Sequence, residues 1–382
     1  MKLIVDSTQL YKVCQAAAKA IPSKALLPIH EYLLIEADPF EGIIIQSCND
    51  ADRSAYTLPS AAVDGDDMSI CIHAAQLISI LREIPAQPIS IESKDRIASI
   101  VWGNGNGKAT LPLEDPAIFP VPSFAEQASA KISADTLRDI IDRVHFAVTE
   151  DELRPVMSSI LFHFTEGKLV CVGTDGHRLV RYTIDSVGPN VNGEPNMQVP
   201  VPRRAANMLK TFVEETMRTD KDADVTMAWN SNDVSFSSLT ASVTFRLGEG
   251  RYPNYNSVIP KNSPMNAIVN RTSLIGAVRR VSALSSKLSS LIKLTFKDGE
   301  LTVQGEDIDY STSGEESVPV QVTGTERMVI GVKGSYFVEV LQHLTTDEVV
   351  IEGTDATRAL LFTGVDDERQ LLMLLMPMQL NN

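Results

Sequence analysis

The segment Trp102-Gly-Asn-Gly-Asn-Gly-Lys108 has the composition of a phosphate-binding loop, in which glycine N–H groups cradle phosphate oxygens and a lysine reaches the outer phosphates. The spacing does not complete that loop. Trp102 stands where the first glycine is required, and Ala109 where a Ser or Thr must hold magnesium. The residues that follow read as a strand, not as a helix whose N-terminus would bind phosphate. A hairpin loop is expected there. Within Thr174-Asp-Gly-His-Arg-Leu179, His177 and Asp175 have the residue types of a general base and its orienting acid. No nucleophile or second acid stands in a matching context, and Asp-Gly between two apolar runs is a strong turn signal. The acid groups Asp50/Asp52, Asp64/Asp66/Asp67 and Glu150-Asp-Glu152 could hold magnesium for phosphoryl chemistry. Each lies in a polar stretch, and solvated loop acids are expected. Cys14, Cys48, Cys71 and Cys171 have neither C-x-x-C nor Cys/His ligand spacing, so buried reduced thiols are expected and no metal site is.

The elements that would position such residues repeat. Six times a short apolar strand runs into an amphipathic helix, and the copies form three pairs. First members begin near Lys2, Ala130 and Asn266, about every 130 residues, far beyond any solenoid period. Second members begin near Ser69, Gln198 and Val329. The helices are expected at 7–20, 74–84, 134–147, 203–218, 272–287 and 334–344. In the first, Leu10, Val13, Cys14, Ala17 and Ile21 form one apolar stripe, with Lys12 and Lys19 opposite. In the fifth, Leu274, Ile275, Val278, Val281 and Leu284 face inward and Arg279 and Arg280 outward. Strand patterns lie between the helices, with Glu166-Gly167 and Asp298-Gly299 as hairpin turns. Proline-rich stretches at 112–122 and 251–264 read as linkers. The fold class is therefore α+β, with three repeated domains of two helices on mostly antiparallel sheets. Their limits are placed at 1–124, 125–254 and 255–382.

A net charge of −15 argues against nucleic acid as a partner until its distribution is considered. The six expected helices hold 12 Lys and Arg against 7 Asp and Glu, while the rest holds 22 against 42. Basic helices sharing one surface would attract phosphate while the remainder repelled it. Asp6 interrupts the start after three apolar residues and the run Leu371–Met376 is too short to span a bilayer, so a cytoplasmic location without signal or membrane segment is expected. The apolar C-terminus, with Pro377 flanked by Met376 and Met378, reads as a strand followed by a segment suited to varied apolar peptide side chains. The residues by themselves leave three readings: a non-enzymatic binding ring, a metal-dependent nucleotide-handling enzyme, and a structural oligomer.

The triplicated domain, Ala25-Leu-Leu-Pro-Ile29, Thr174-Asp-Gly-His-Arg-Leu179, Gly250-Arg-Tyr-Pro-Asn-Tyr255 and Met376-Pro-Met-Gln-Leu380 together resemble the bacterial sliding clamps, the beta subunits of replicative DNA polymerase III. The resemblance spans the whole chain in order. It implies a head-to-tail homodimeric ring that encircles duplex DNA, slides on it without sequence preference and raises processivity, with no cofactor and no catalytic site of its own. Its implied partners are double-stranded DNA, the polymerase III alpha subunit, the clamp loader and repair proteins, the proteins being held through short linear peptides.

Carried over position by position, the peptide pocket would take Met157, Thr174, Gly176, His177, Arg178 and Leu179 on one side. Pro253 and Val258 would come from a linker, Tyr336 from the last helix, and Met376, Pro377, Met378 and Leu380 from the tail. For DNA, family position implies Lys24, Arg203 and Arg204, and charge alone adds Arg279 and Arg280. Leu111, Ala283 and Leu284 match the family's subunit interface. Replacing Arg203 and Arg204 together is expected to alter DNA loading with the ring intact. Gln379, Ser257, Ser289 and the extension Asn381-Asn382 depart from the family pattern and bear on the fine specificity of that pocket.

Overall fold

A computed structural model describes residues 2–38, 42–58, 62–64, 67–151, 153–185, 187, 196–367 and 370–380. Asp66, Glu152, Asn381 and Asn382 lie outside the described residues.

Each expected strand does run into a helix. Lys2–Asp6 leads to α1 (Ser7–Ala17), Met68–His73 to α2 (Ala74–Glu83) and Ala128–Ser133 to α3 (Ala134–Val144). Asn196–Pro202 leads to α4 (Ala205–Thr219), Met265–Asn270 to α5 (Arg271–Ser282) and Arg327–Lys333 to α6 (Gly334–His343). The switch is written into the last strand residue of the first-member copies. Asp6 accepts from the N–H groups of Thr8 and Gln9, Ser133 from Thr136 N–H, and Asn270 from Ser273 N–H. Each satisfies donors that the first helical turn leaves open. The second-member helices α2, α4 and α6 begin without a side-chain cap.

Three expectations about the helices change. Helix α5 ends at Ser282, not near 287, so Leu284 is 42 % exposed instead of inward, and Ile275 is only half-buried. Lys19, Arg203, Arg204 and Lys287 lie outside the α-helices, and Arg271 joins α5. Within the observed limits the helices hold nine basic residues and seven acidic ones. Cations therefore cluster at helix ends and in the adjoining turns, and the helices themselves are nearly balanced.

The chain divides into two compact units. The first comprises Met1–Ile141, Pro189–Glu194 and Arg204–Leu247. It holds one antiparallel sheet in the order Ala128–Ser133, Asp224–Trp229, Asp233–Ser237, Ala241–Arg246, Asp52–Leu58, Gly42–Cys48, Tyr32–Asp38, Met68–His73, Gly107–Glu114, Ile97–Trp102, Pro88–Lys94, Lys2–Asp6, Ala62–Asp64. Two repeats are sewn together inside it, because Asp52–Leu58 of the first pairs with Ala241–Arg246 of the second, with Ala241 opposite Tyr56.

The second unit comprises Asp142–Gly188, Pro195–Arg203 and Gly248–Asn382. Its larger sheet runs Asn196–Pro202, Ser159–Thr165, Lys168–Thr174, Arg178–Ile184, Leu371–Leu375, Leu360–Gly364, Glu348–Gly353, Met265–Asn270, Val320–Thr323. The same kind of joint recurs: Arg178–Ile184 of the second repeat pairs with Leu371–Leu375 of the third, Leu179 opposite Leu374. A four-stranded sheet follows the order Thr312–Val318, Glu300–Asp307, Leu291–Lys297, Arg327–Lys333. Sheet continuity across repeats explains why two compact units hold three sequence repeats.

Turn chemistry holds where it was read. Glu166 and Gly167 have φ of 52° and 75° in the two-residue connection between Thr165 and its partner Lys168, the mirror-image turn that suits strand twist. The stretch 112–122 begins inside a strand, not in a linker: Pro112 sits opposite Ile97, and Leu113 beside it is buried. Pro112 is accommodated on the flank of that strand that pairs with nothing at this position, where no N–H is needed.

All four cysteines are buried and unpaired. Burial pushes the Cys48 thiol up to about 11 and the Cys71 thiol up to about 12, and raises Cys14 and Cys171 as well. At pH 7 the nucleophilic thiolate is therefore negligible. Iodoacetamide is expected to label none of the four in the native protein and all four in denaturant, which intact-mass spectrometry reads directly. No helix of the described residues is long and apolar enough to cross a membrane.

Candidate functional site

The turn Thr174–Leu179 is built from its own side chains. Asp175 Oδ1 accepts from His177 N–H at 2.8 Å and Arg178 N–H at 2.9 Å. Thr174 Oγ1 donates to Arg178 O at 2.7 Å and accepts from Gly176 N–H at 3.1 Å. Gly176 takes φ of 88°, the left-handed region where a side chain is strained. Asp175 is thereby committed to shaping the turn and does not orient the His177 ring.

Arg178 is the knot of this site. Its side chain is 10 % exposed and meets two carboxylates, Asp175 Oδ2 at 3.1 Å and Glu339 of α6. It also donates to Phe146 O at 2.9 Å. The guanidinium lies 5.2 Å from the Phe146 ring centroid and 4.4 Å from that of Tyr336. Phe146 in turn stacks on His343 of α6 at 3.6 Å. The resemblance puts Arg178 among the peptide-pocket residues; in the structure its guanidinium is buried and donates to three protein acceptors. Phe146, His343 and Glu339 were missed, since none belongs to a motif and Glu339 is 161 residues away.

The tail is threaded through the same unit. After the strand Leu371–Leu375, Met376 N–H donates to His177 O at 2.7 Å, and Met378 N–H to Gly331 O at 2.7 Å. Pro377 ends the strand between them, and Met378 forms an isolated bridge with Gly331. Met376 is 39 % exposed, while Pro377, Met378 and Leu380 are half-buried. Tyr336 lies 6.2 Å from the His177 ring. The turn, the start of α6 and the tail are thus contiguous. Leu179 is buried in a core cluster with Tyr252, Tyr255, Leu361 and Leu374, against which Val156 packs. Tyr255 donates to or accepts from His163 Nδ1 at 2.8 Å, so that pair anchors the segment carrying Pro253 and Val258. Pro253 is exposed, Val258 is 51 % exposed and Met157 is half-buried. A separate groove of about 960 Å³ on the four-stranded sheet, lined among others by Lys293, Asp307 and Arg327, shares only Leu380 with these residues.

The five candidate DNA contacts divide into two kinds. Lys24 and Arg279 are exposed and form no ion pair among the described residues. The other three do. Arg203 pairs with Glu150 at 2.7 Å, and Arg280 grips Glu316 with two donors at 2.8 and 2.6 Å. Arg204 holds Asp52 through Nε and Nη2 at 2.9 to 3.2 Å and reaches Arg246 O at 3.2 Å. Asp52, expected as a solvated loop acid, is only 8 % exposed at the start of its strand. Arg204→Ala would strand that carboxylate, so a loss of about 1–2 kcal/mol is expected in chemical denaturation, the pair's partial exposure having been discounted. Lys24→Ala should leave stability within about 0.5 kcal/mol and is the cleaner probe of DNA contact. Leu111 is 8 % exposed within its own sheet, and Ala283 and Leu284 are exposed past the end of α5.

Three domain families match most of the chain, in order. Residues 1–121 match the DNA polymerase III beta subunit N-terminal domain, 131–254 its central domain and 256–379 its C-terminal domain. The chain belongs to this family. Among curated relatives, the beta sliding clamp of Staphylococcus aureus is 25 % identical over 368 residues, covering 93 % of this chain and 94 % of that protein. Its Staphylococcus epidermidis counterpart is 23 % identical over 372 residues, covering 94 % of each. The sliding clamp of Bartonella birtlesii superposes with a TM-score of 0.89 at 26 % identity, and the DNA polymerase III beta subunit of Pseudomonas aeruginosa with 0.90 at 23 % identity, each over the full length of both chains. Family membership fits a fold of three clamp-type domains with helices on antiparallel sheets.

Proposed function

We propose that this chain acts as the sliding clamp of a bacterial replicative polymerase, a non-catalytic ring in the cytoplasm that encircles duplex DNA and holds partner proteins by short peptides. The observation that carries the ring is a pair of unused strand edges. In both units the third strand of one repeat's first sheet pairs with the last strand of the next repeat's second sheet. The same rule leaves two strands over, Thr312–Val318 of the third repeat and Gly107–Glu114 of the first. Among the described residues the former pairs only with Glu300–Asp307. The latter pairs with Ile97–Trp102 and, at Leu113 and Glu114 alone, with Met68–His73. Open edges of this length recruit another strand. Joining them between two copies makes a closed two-fold assembly with six joints of one type. Glu315 and Glu316 on one edge and Lys108 on the other favour that pairing, and the exposed Leu284 supplies apolar contact beside it.

Closure changes what DNA binding must achieve. A ring is retained by topology, so its phosphate contacts need only be weak and sequence-independent. Cations already engaged by carboxylates, as Arg203, Arg204 and Arg280 are, suit weak exchangeable contacts. Tethering a polymerase makes its re-engagement with the primer end intramolecular and so raises its local concentration. Peptide capture is assigned to Met157, the turn with Gly176, His177 and Leu179, Pro253 and Val258, Tyr336, and the tail, whose methionines adapt to varied apolar side chains.

The test is loading onto nicked circular DNA by a clamp loader with ATP, a high-salt wash, then linearisation. Retention on the circle with release from cut ends is the expected result. Loss in the salt wash, with a known clamp loading in parallel, would overturn the ring. Sedimentation of Leu284→Asp adds a check on the joint: the dimer is expected to fall to monomer without loss of fold.

A further inference from the structure

We propose that Pro112 makes the joint between copies a releasable one by withholding a hydrogen bond that closes both joints inside the chain, an inference that rests on the ring reading above. The two internal joints share two fasteners. The first is a main-chain bond at the end of the paired strands: Met376 N–H donates to His177 O at 2.7 Å, and Arg246 N–H to Ala51 O at 2.9 Å. The second is an ion pair at the first residue of the joining strand. Arg178 reaches Glu339 of α6, and Asp52 holds Arg204 at the start of α4. Each ties a turn of one repeat to the second helix of the next.

Both positions can be located on the free edges. Two residues after each donor, the chain meets the strand that enters the second helix of its own repeat. Met378 N–H bonds to Gly331 O, Gly248 N–H to Pro200 O, and Glu114 lies opposite Cys71. Counting back two from Glu114 gives Pro112, which has no N–H to donate. The turns correspond too. Asp175, Asn49 and Asp307 each accept from the N–H groups two and three places on. The strands that follow open with Arg178, Asp52 and Thr312, the third turn being two residues longer. Thr312 is uncharged, and its hydroxyl donates to Leu284 O at 2.9 Å within its own repeat. Internally Leu179 pairs with Leu374 and Arg53 with Thr244. The same register between copies sets Ser313 opposite Thr110 and Glu315 opposite Lys108, so opposite charges meet. It also leaves the Ser311 carbonyl beside the Pro112 ring, without a donor. Proline on a sheet edge limits pairing in this way, and here it does so at the one kind of joint that no covalent linker spans.

The experiment uses the full-length protein, labelled at its N-terminus with a donor or an acceptor dye, and follows subunit exchange by energy transfer. Pro112→Ala restores the N–H. One net hydrogen bond in each of two joints should lower the dimer Kd about twenty-fold, mostly through slower exchange. The new amide at position 112 should also exchange with deuterium slowly in the dimer and fast when Leu284→Asp is added to make a monomer. A folded Pro112→Ala dimer with the parent's Kd and exchange rate overturns the role of Pro112 and leaves the ring standing. So does an amide 112 that exchanges as fast in the dimer as in the monomer. Sedimentation of the wild type as a monomer at every concentration removes the ring, and this inference with it. Should Pro112→Ala melt early, Pro112→Ser supplies the same N–H and decides the same question.

Discussion

Arg178→Met is expected to destabilise the protein by about 3 kcal/mol and to weaken peptide binding by about ten-fold or more. Removing one partner of a buried ion pair leaves the other charge without compensation, and that loss typically exceeds what the pair contributed. Here Asp175, 12 % exposed, keeps its backbone donors but loses its cation, whereas Glu339, 37 % exposed, regains some water; the figure therefore sits at the lower end of that range. Phe146 O loses a donor at the same time. Methionine fills some of the volume but cannot bridge the turn to α6, so Tyr336 is freed to move relative to His177. Arg178→Lys restores a charge without the planar fork that reaches two carboxylates and a carbonyl together, and should recover less than half of the loss. Thermal melting together with peptide anisotropy measures both effects. An unchanged melting temperature with unchanged affinity would mean that the knot is ornamental.

That knot marks the limit of what the sequence discloses. Strand-to-helix grammar was readable because its signals are local: an apolar run, a capping Asp6 or Asn270, then a helical stripe. The Asp175-Gly176 turn was readable for the same reason. Helix α5 was read too long because Leu284 continues the apolar spacing past Ser282, where the chain had already turned to 3-10-like bonds from Leu284 N–H to Val281 O and Ser285 N–H to Ser282 O. The joints between repeats left no such trace. Asp52–Leu58 alternates buried and half-buried residues, yet it opens with a charged pair, and its partner Ala241–Arg246 lies far along the chain. Asp52 itself looked solvated because the arginine that buries it belongs to another repeat. Partners that meet only after folding are invisible to periodicity, so pairing between repeats had to be seen in three dimensions. The candidate peptide residues were legible through family resemblance alone; composition gave only the apolar tail.

Gly331→Ala isolates the tail from everything else and should reduce peptide affinity by about ten-fold while leaving the sheets intact. Gly331 has no positive φ, so alanine brings no backbone strain and its effect is wholly one of space. The new methyl carbon would stand 2.6 Å from Met378 O, 2.8 Å from Leu380 Cδ2 and 3.1 Å from Leu291 Cδ1. Leucine side chains can give way, but the Met378 carbonyl is main chain and has to move. Moving it breaks the 2.7 Å bond from Met378 N–H to Gly331 O, a loss of about 1 kcal/mol that water can partly replace at the surface. The Arg327–Lys333 pairing with Leu291–Lys297 does not involve that flank, and the strand Leu371–Leu375 remains held on both sides by Arg178–Ile184 and Leu360–Gly364. The tail should therefore lift only from about Pro377 onward, displacing Met378 and Leu380 together. Deleting residues 376–382 should reproduce the binding loss, and sedimentation should show the same oligomer in both variants. If Gly331→Ala binds peptides as the parent does, the tail beyond Pro377 is a strap for the sheet, and recognition belongs to the turn and α6 alone.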